Sequence, residues 1–278
     1  MSFSYILSRR ALRALADREG SVNLKTIEGI TYVPYEIYEP SSTEEALVHL
    51  VRRCPNLESL EVQGQGPDPL DIDEVFTLSP SPASLPSFQP LNLPHLRFLA
   101  MLSMHASPLM LALMSSPLPS LSKLTITPYN DIPYPASMTT EFIAVHGHSL
   151  RSLILYTFKT WPTHLHPSPA DMLMSCPNLH HLSLETPIPQ LLIPESKHTS
   201  LEILTLPRLS ATNWEIVEPL LSQLPALRVI RARDIKWLRK GMGLKAQEAG
   251  VQGEMRDWRR RLSRRGIRVL DAEWNDID

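Results

Sequence analysis

Hydrophobic positions along this chain recur in one short phrase, Pro-x-Leu-x-x-Leu-x-aliphatic, from one end to the other. The two most similar copies are CPNLESLEV at 54–62 and CPNLHHLSL at 176–184. The leucines at the first, fourth and sixth positions of the phrase are expected to point inward, and the residue between the last two to point outward, as in a short strand. Copies of the phrase, some without the proline, lie at 22–27, 54–62, 93–101, 118–126, 148–155, 176–184, 199–206, 224–230 and 265–270. A repeat of this period predicts a solenoid.

Helical segments are predicted between these strands. Ser42–Glu45 and Thr212–Glu215 have the form of capping boxes, and Ser168 precedes a proline at a predicted first helical position. Further helices are predicted over 107–114 and 138–145. The alternation of strand and helix indicates an α/β solenoid of about nine degenerate repeats, with a parallel sheet on the concave side and helices outside.

We expect one continuous solenoid domain over residues 1–278. Residues 1–20 are predicted to form an N-terminal capping helix, and 79–94 a mobile Pro/Ser-rich surface loop. Residues 237–278 are predicted to form a C-terminal charged helix and capping repeat. The arginines of 256–265 favour two interpretations: a solvated face of an amphipathic cap, which we prefer, or a patch that binds nucleic acid or phosphate.

Composition and charge exclude some classes of function. The 278 residues carry a formal net charge of −2, so no global attraction to nucleic acid or acidic lipid is expected. The only two cysteines, Cys54 and Cys176, occupy the same slot of distant repeats, which predicts buried free thiols rather than a disulfide. Neither a secretory signal nor a membrane-length apolar run is recognisable, which favours a cytoplasmic or nuclear location.

Candidate chemistry is sparse in the sequence. The histidine pairs at 146/148, 164/166 and 180/181 lack the spacing of a zinc site and fall in different repeats. No nucleophile elbow and no phosphate-binding glycine loop is present. We therefore predict no metal, no cofactor and no enzymatic activity.

The best candidate for a binding surface is the concave face of the predicted sheet. Apolar side chains are expected near its middle and charged ones toward its ends, which is typical of a protein-binding patch with a polar rim. The predicted partner-binding residues are Phe98, Leu102, Lys123, Ile154, Tyr156, His181, Glu185, Arg231 and Arg233. The partner itself is an unknown protein, with no membrane involved.

The phrases at 54–62 and 176–184, together with RLSRRGIRV at 261–269, resemble the degenerate leucine-rich repeats of fungal F-box proteins. That resemblance covers roughly residues 20–275 and implies a ribonuclease-inhibitor-like horseshoe. It also implies a ubiquitin-ligase substrate receptor, in which an F-box docks on the Skp1 adaptor of a cullin ligase. Only a partial likeness to an F-box occurs, at 33–37, so we expect no clear F-box here. A free-standing repeat scaffold unrelated to ubiquitin ligases is the alternative.

Overall fold

The computed structural model describes residues 5–32, 45–64, 89–103, 107–128, 138–157, 170–185, 188, 191–237 and 250–276. Their main feature is a ten-stranded sheet in which every neighbouring pair of strands is parallel and the spatial order equals the chain order. The strands are β1 Tyr5–Ile6, β2 Thr26–Tyr32, β3 Ser59–Gly64, β4 Phe98–Leu102, β5 Lys123–Ile126, β6 Ser152–Leu155, β7 His181–Ser183, β8 Ile203–Leu206, β9 Val229–Ala232 and β10 Arg268–Leu270.

Helices connect most of these strands. The α-helices are α1 Arg9–Ala16, α2 Ala46–Arg52, α3 Pro108–Met114, α4 Thr139–His146, α5 Met172–Ser175, α6 Ala211–Val217 and α7 Gly250–Ser263. Short 3-10 helices lie at Ser21–Asn23, Gly147–Ser149 and Glu218–Ser222. The predicted α/β class and the all-parallel sheet are therefore confirmed.

Each of the nine phrases contributes one strand, β2 to β10. The first strand, β1, has only two residues and was not predicted, because so short a segment has no periodicity to detect. The phrase at 22–27 predicts its strand too early, since β2 begins at Thr26 and continues to Tyr32.

The inward leucines of the phrase stack in register across the sheet. One row pairs Leu60, Leu99, Leu124, Leu153, Leu182, Leu204, Ile230 and Val269 in succession. Every member of this row is buried and belongs to a single hydrophobic core that also includes residues of the helices. Burial of such a side chain stabilises the fold by about 1.5–3 kcal/mol, so the row is a main source of cohesion between successive units.

The polar residue after the proline also holds neighbouring units together. Asn56 donates its side-chain amide to the carbonyl of Val22 at 3.0 Å, and Asn178 donates to the carbonyl of His148 at 2.8 Å. Both phrases therefore use asparagine for the same bond to the preceding unit. The cysteine two residues earlier is fully buried in each case, and neither cysteine forms a disulfide, as predicted.

The predicted helix starts are partly correct. Ser107 caps α3 by accepting a hydrogen bond from the Met110 N–H at 3.1 Å. Glu45, the last residue of the first predicted box, caps α2 instead of the expected serine. The box at Thr212–Glu215 is wrong, because Ser210 caps α6 and the helix begins at Ala211.

The Pro/Ser-rich stretch 79–94 falls largely outside the described residues, and the predicted capping Ser168 and the F-box-like segment 33–37 lie wholly outside them. Of the Pro/Ser-rich stretch 79–94, only 89–94 are described, and within them Leu91 and Leu93 are buried. The Leu91 N–H donates to the Ser116 hydroxyl at 2.7 Å. This end of the stretch is therefore packed against the core, contrary to the expectation of a surface loop.

The C-terminal helix α7 closes the last units of the core. Its apolar side, formed by Met255, Trp258 and Leu262, is buried as predicted. The Trp258 ring packs edge-on against Trp214 of α6, with ring centroids 4.9 Å apart. No helix in the described part of the chain is both long and apolar enough to cross a bilayer.

Candidate functional site

The candidate site lies on the face of the sheet that is turned away from the core, which we call the open face. It consists of two in-register rows of side chains. The first row is Thr26, Ser59, Phe98, Lys123, Ser152, His181, Ile203, Val229 and Arg268. The second is Glu61, Ala100, Thr125, Ile154, Ser183, Thr205, Arg231 and Leu270. Strand residues alternate between the two faces of the sheet. The residues between the two rows point into the core, so both rows lie on the opposite face.

An open pocket of about 460 Å³ occupies this face over strands β2 to β5. We call it the Phe98 pocket; its walls include Glu28, Ser59, Glu61, Phe98, Lys123 and Thr125. The Phe98 side chain is 47% exposed, although its neighbours in the strand are buried or half-buried. Covering the exposed half of this ring would contribute on the order of 1 kcal/mol to binding.

Charged groups surround the ring. Glu58, at the pocket edge, pairs with Lys25 at 2.9 Å, and the hydrogen bond from Lys25 holds the pKa of Glu58 below its usual value. Glu61 and Lys123 form no ion pair with any described residue. One carboxylate and one ammonium in the pocket are therefore available to charged groups of a ligand.

A local irregularity brings one more carboxylate to the pocket. The pairing of β2 with β3 shifts register between Ile27 and Ile30, and Gly29 has a φ of 70°, which favours glycine. The shift leaves Glu28 exposed at the pocket wall, where its carboxylate accepts a hydrogen bond from Ser59 at 3.3 Å. Strand alternation alone did not predict this residue, and the glycine in a strand is the signal that could have found it.

The middle of the open face carries a short chain of polar side chains. Ser152 contacts Nδ1 of His181 at 3.2 Å, and Nε2 of His181 contacts the Thr205 hydroxyl at 3.0 Å. Burial lowers the pKa of His181, and the charges of Arg231 and Lys123 lower it further, which favours the neutral ring. Both ring nitrogens contact hydroxyl groups, so no carboxylate of a described residue orients the imidazole as in a nucleophilic triad.

Besides His181, three of the predicted partner-binding residues are engaged within the chain. Glu185 is only 9% exposed and pairs with Arg233, which also pairs with Asp234 at 2.9 Å. Arg231 lies 4.5 Å from the ring centroid of Trp274 and donates to the carbonyl of Ala272 at 2.5 Å. These arginines and Glu185 therefore hold the last units together, contrary to the expected accessible rim.

The remaining predicted residues do not form one apolar patch. Phe98 and Lys123 share the pocket, and Ile154 lies two strands from Phe98, half-buried, in the second row. Leu102 is the last residue of β4, and Tyr156 follows the end of β6. Both are half-buried. Strand β5, which presents Lys123 and a threonine, separates the apolar side chains, so the expected continuous centre is divided.

The open face is least accessible over strands β7 to β9. Ser183 and Thr205 of the second row and Val229 of the first row are buried, although all three belong to the open face. The strands from β2 to β6 therefore offer the accessible part of the face. Among the described residues, no group of three or more His, Cys, Asp or Glu side chains could hold a metal ion.

No protein-family model matches this chain, and no curated protein matches it either. Its function is therefore inferred from the fold and from the accessible part of the open face.

Proposed function

We propose that this chain is a non-catalytic protein-recognition module built from leucine-rich repeats in a ribonuclease-inhibitor-like horseshoe. The stacked row of buried leucines, the sequential parallel strands and the asparagine bonds between units support this assignment. Solenoids of this kind present one continuous sheet face to a partner. The open face is that surface, and the Phe98 pocket is its binding centre.

The half-exposed phenylalanine in the pocket is the observation that carries the proposal. Pockets for small molecules enclose most of the ligand and are mainly apolar, whereas this one is open and its walls carry Glu28, Glu61 and Lys123. An aromatic anchor inside a ring of polar groups is typical of the centre of a protein interface. A protein segment that covers Phe98 and pairs with the surrounding charges fits this geometry best.

The resemblance to fungal F-box proteins supports a more specific context, the substrate receptor of a ubiquitin ligase. In that context the open face binds the substrate, and the Skp1 adaptor and a cullin complete the ligase. The second candidate is a free-standing scaffold with the same open-face site. The two differ in whether Skp1 and cullin accompany the protein.

Affinity capture from a fungal lysate, followed by quantitative mass spectrometry, tests both levels of the proposal. The test variant is Phe98→Ala/Ile154→Ala on the open face. The matched control is Val145→Ala/Met174→Ala on helices α4 and α5, whose side chains are both 46% exposed. Both variants remove two apolar side chains, so a change in non-specific hydrophobic binding affects them equally.

Partners recovered with the wild type and the control but lost with the Phe98/Ile154 variant support open-face recognition. Purified partner and protein should then associate with an affinity that the test variant reduces by about tenfold or more, corresponding to an anchor residue. Recovery of Skp1 and cullin with all three proteins favours the ligase receptor, and their absence favours the scaffold. Equal recovery of every partner by all three proteins contradicts the proposed site.

A further inference from the structure

The outward side of helix α7 presents a row of arginines. Because Met255, Trp258 and Leu262 point into the core, the opposite side carries Arg256 and Arg260, and Arg264 follows one residue after the helix end. Residues four apart lie on the same helix face about 6 Å apart along the axis. The three side chains therefore leave the helix along one line of about 12 Å.

Carboxylates near this line neutralise only part of its charge. Asp257 pairs with both Arg260 at 2.5 Å and Arg261 at 2.9 Å, so one negative charge serves two positive ones. Arg259 lies 3.9 Å from the carboxylate of Asp276, whereas Arg264 and Arg265 form no ion pair with any described residue. Across 250–276 there are seven arginines and five carboxylates, which leaves an excess of positive charge.

The shape and chemistry of the surface suit phosphate groups. A shallow hollow of about 390 Å³ is lined, among the described residues, by Arg256, Arg259, Arg260 and Ser263. All basic side chains in 250–276 are arginine, with no lysine. The planar guanidinium donates two parallel hydrogen bonds to phosphate oxygens, which an ammonium cannot do.

We propose that this arginine face, made of Arg256, Arg259, Arg260, Ser263 and Arg264, binds the phosphodiester backbone of a single nucleic-acid strand. A line of repeated positive charges suits a linear polyanion with repeated charges, and a flexible strand can follow a convex helix. The only aromatic side chain of α7, Trp258, is buried, so no described residue of the helix offers a platform for base stacking. Binding is therefore independent of base sequence. The site lies on the helix side of the sheet and does not depend on the open-face proposal.

Fluorescence anisotropy with a labelled 20-nucleotide oligouridylate tests the site in the full chain. The test variant is Arg256→Gln/Arg260→Gln/Arg264→Gln. The matched control is Arg9→Gln/Arg10→Gln/Arg13→Gln, which makes the same change of net charge on α1 at the other end of the sheet. A third variant replaces the same three α7 arginines by lysine. Thermal melts of all variants establish that each is folded.

Neutralising about four phosphates predicts a slope of log K against log salt of roughly −3 for the wild type. The glutamine variant should lose about 2 units of that slope and bind roughly tenfold or more weakly at about 50 mM salt, while the α1 control is unchanged. The lysine variant should keep most of the salt dependence. Equal weakening by the α7 and α1 variants, or no binding by the wild type at low salt, overturns the proposal. Preference for polyglutamate over the oligonucleotide also overturns it, since the occupant would then be an acidic protein segment.

Discussion

Replacement of Gly147 by alanine should destabilise the fold, because this glycine lies against the backbone of the next unit. A Cβ atom built on Gly147 would approach the carbonyl oxygen of Ser175 to 2.4 Å and the sulfur of Cys176 to 2.8 Å. Favourable non-bonded contacts require about 3.5–4.0 Å. The Ser175 carbonyl belongs to the end of α5, so relief of the clash requires movement of backbone between two units.

The expected magnitude follows from two opposing effects. Gly147 has φ −58° and ψ −31°, which alanine adopts without strain. Loss of glycine flexibility in the unfolded chain alone would therefore stabilise the protein by about 0.4–1 kcal/mol. Overpacking of a filled interior costs about 1–3 kcal/mol, and a backbone contact at 2.4 Å belongs at the upper end of that range. We expect a net loss of about 2–2.5 kcal/mol in the free energy of unfolding.

Urea unfolding followed by circular dichroism measures this loss, with Gly20→Ala as the control. Gly20 also has a negative φ, −80°, but a Cβ atom there would meet nothing within 4 Å. The control should be neutral or more stable by up to about 1 kcal/mol. The same substitution thus has opposite effects at two glycines, and only the packing differs.

A double variant separates the two contacts of the added methyl group. Cys176→Ala removes the sulfur but leaves the Ser175 carbonyl in place, so Gly147→Ala should keep most of its cost in the Cys176→Ala background. If Gly147→Ala were as stable as Gly20→Ala, the inferred close approach of the two units would be refuted.

Three further predictions concern buried titratable groups. Burial lowers the pKa of His146 below its usual 6.5, so the unfolded chain binds a proton at this residue before the folded chain does as the pH falls. The melting temperature should therefore be constant above about pH 6.5 and decline below it, and the decline should be smaller in His146→Gln. Burial raises the pKa of Glu185 even though Arg233 opposes the shift. In urea titrations Arg233→Met, which leaves the buried carboxylate without its ion-pair partner, should lower the free energy of unfolding by on the order of 3 kcal/mol, and Glu185→Gln should lower it distinctly less. Burial raises the pKa of Cys176 to about 12, so a thiol reagent at about pH 8 should label this cysteine only after the protein unfolds. Rapid labelling of Cys176 in the native protein would contradict its burial.

Local features of the chain were predictable because they depend on near neighbours. The spacing of leucines placed the strands from β3 to β10, although it predicted β2 too early. Strand alternation identified the buried row that runs through Leu60 and Leu153. The predicted helix over 107–114 agrees with α3, which begins at Pro108 directly after its capping residue Ser107. The capping prediction for α6 was wrong, because Ser210 lies directly before the helix and caps it in place of Thr212.

The candidate site was only partly predictable for the same reason. Phe98 and Lys123 follow from alternation, and their shared pocket follows from the pairing of adjacent strands. Glu28 depends on a register shift in β2 that the hydrophobic pattern does not reveal. The pairing of Glu185 with Arg233, 48 positions apart, removes two predicted residues from the accessible surface.

The sequence by itself determined the repeated unit, the parallel order of the strands and, apart from the register shift in β2, the face to which most strand residues belong. These properties depend on a period of two within a strand and on repetition along the chain, and both are local. The tertiary structure alone decided which open-face residues remain accessible, because accessibility depends on side chains from strands far apart in sequence. It also decided that Gly147 must lack a side chain, since the atoms that exclude one belong to the following unit.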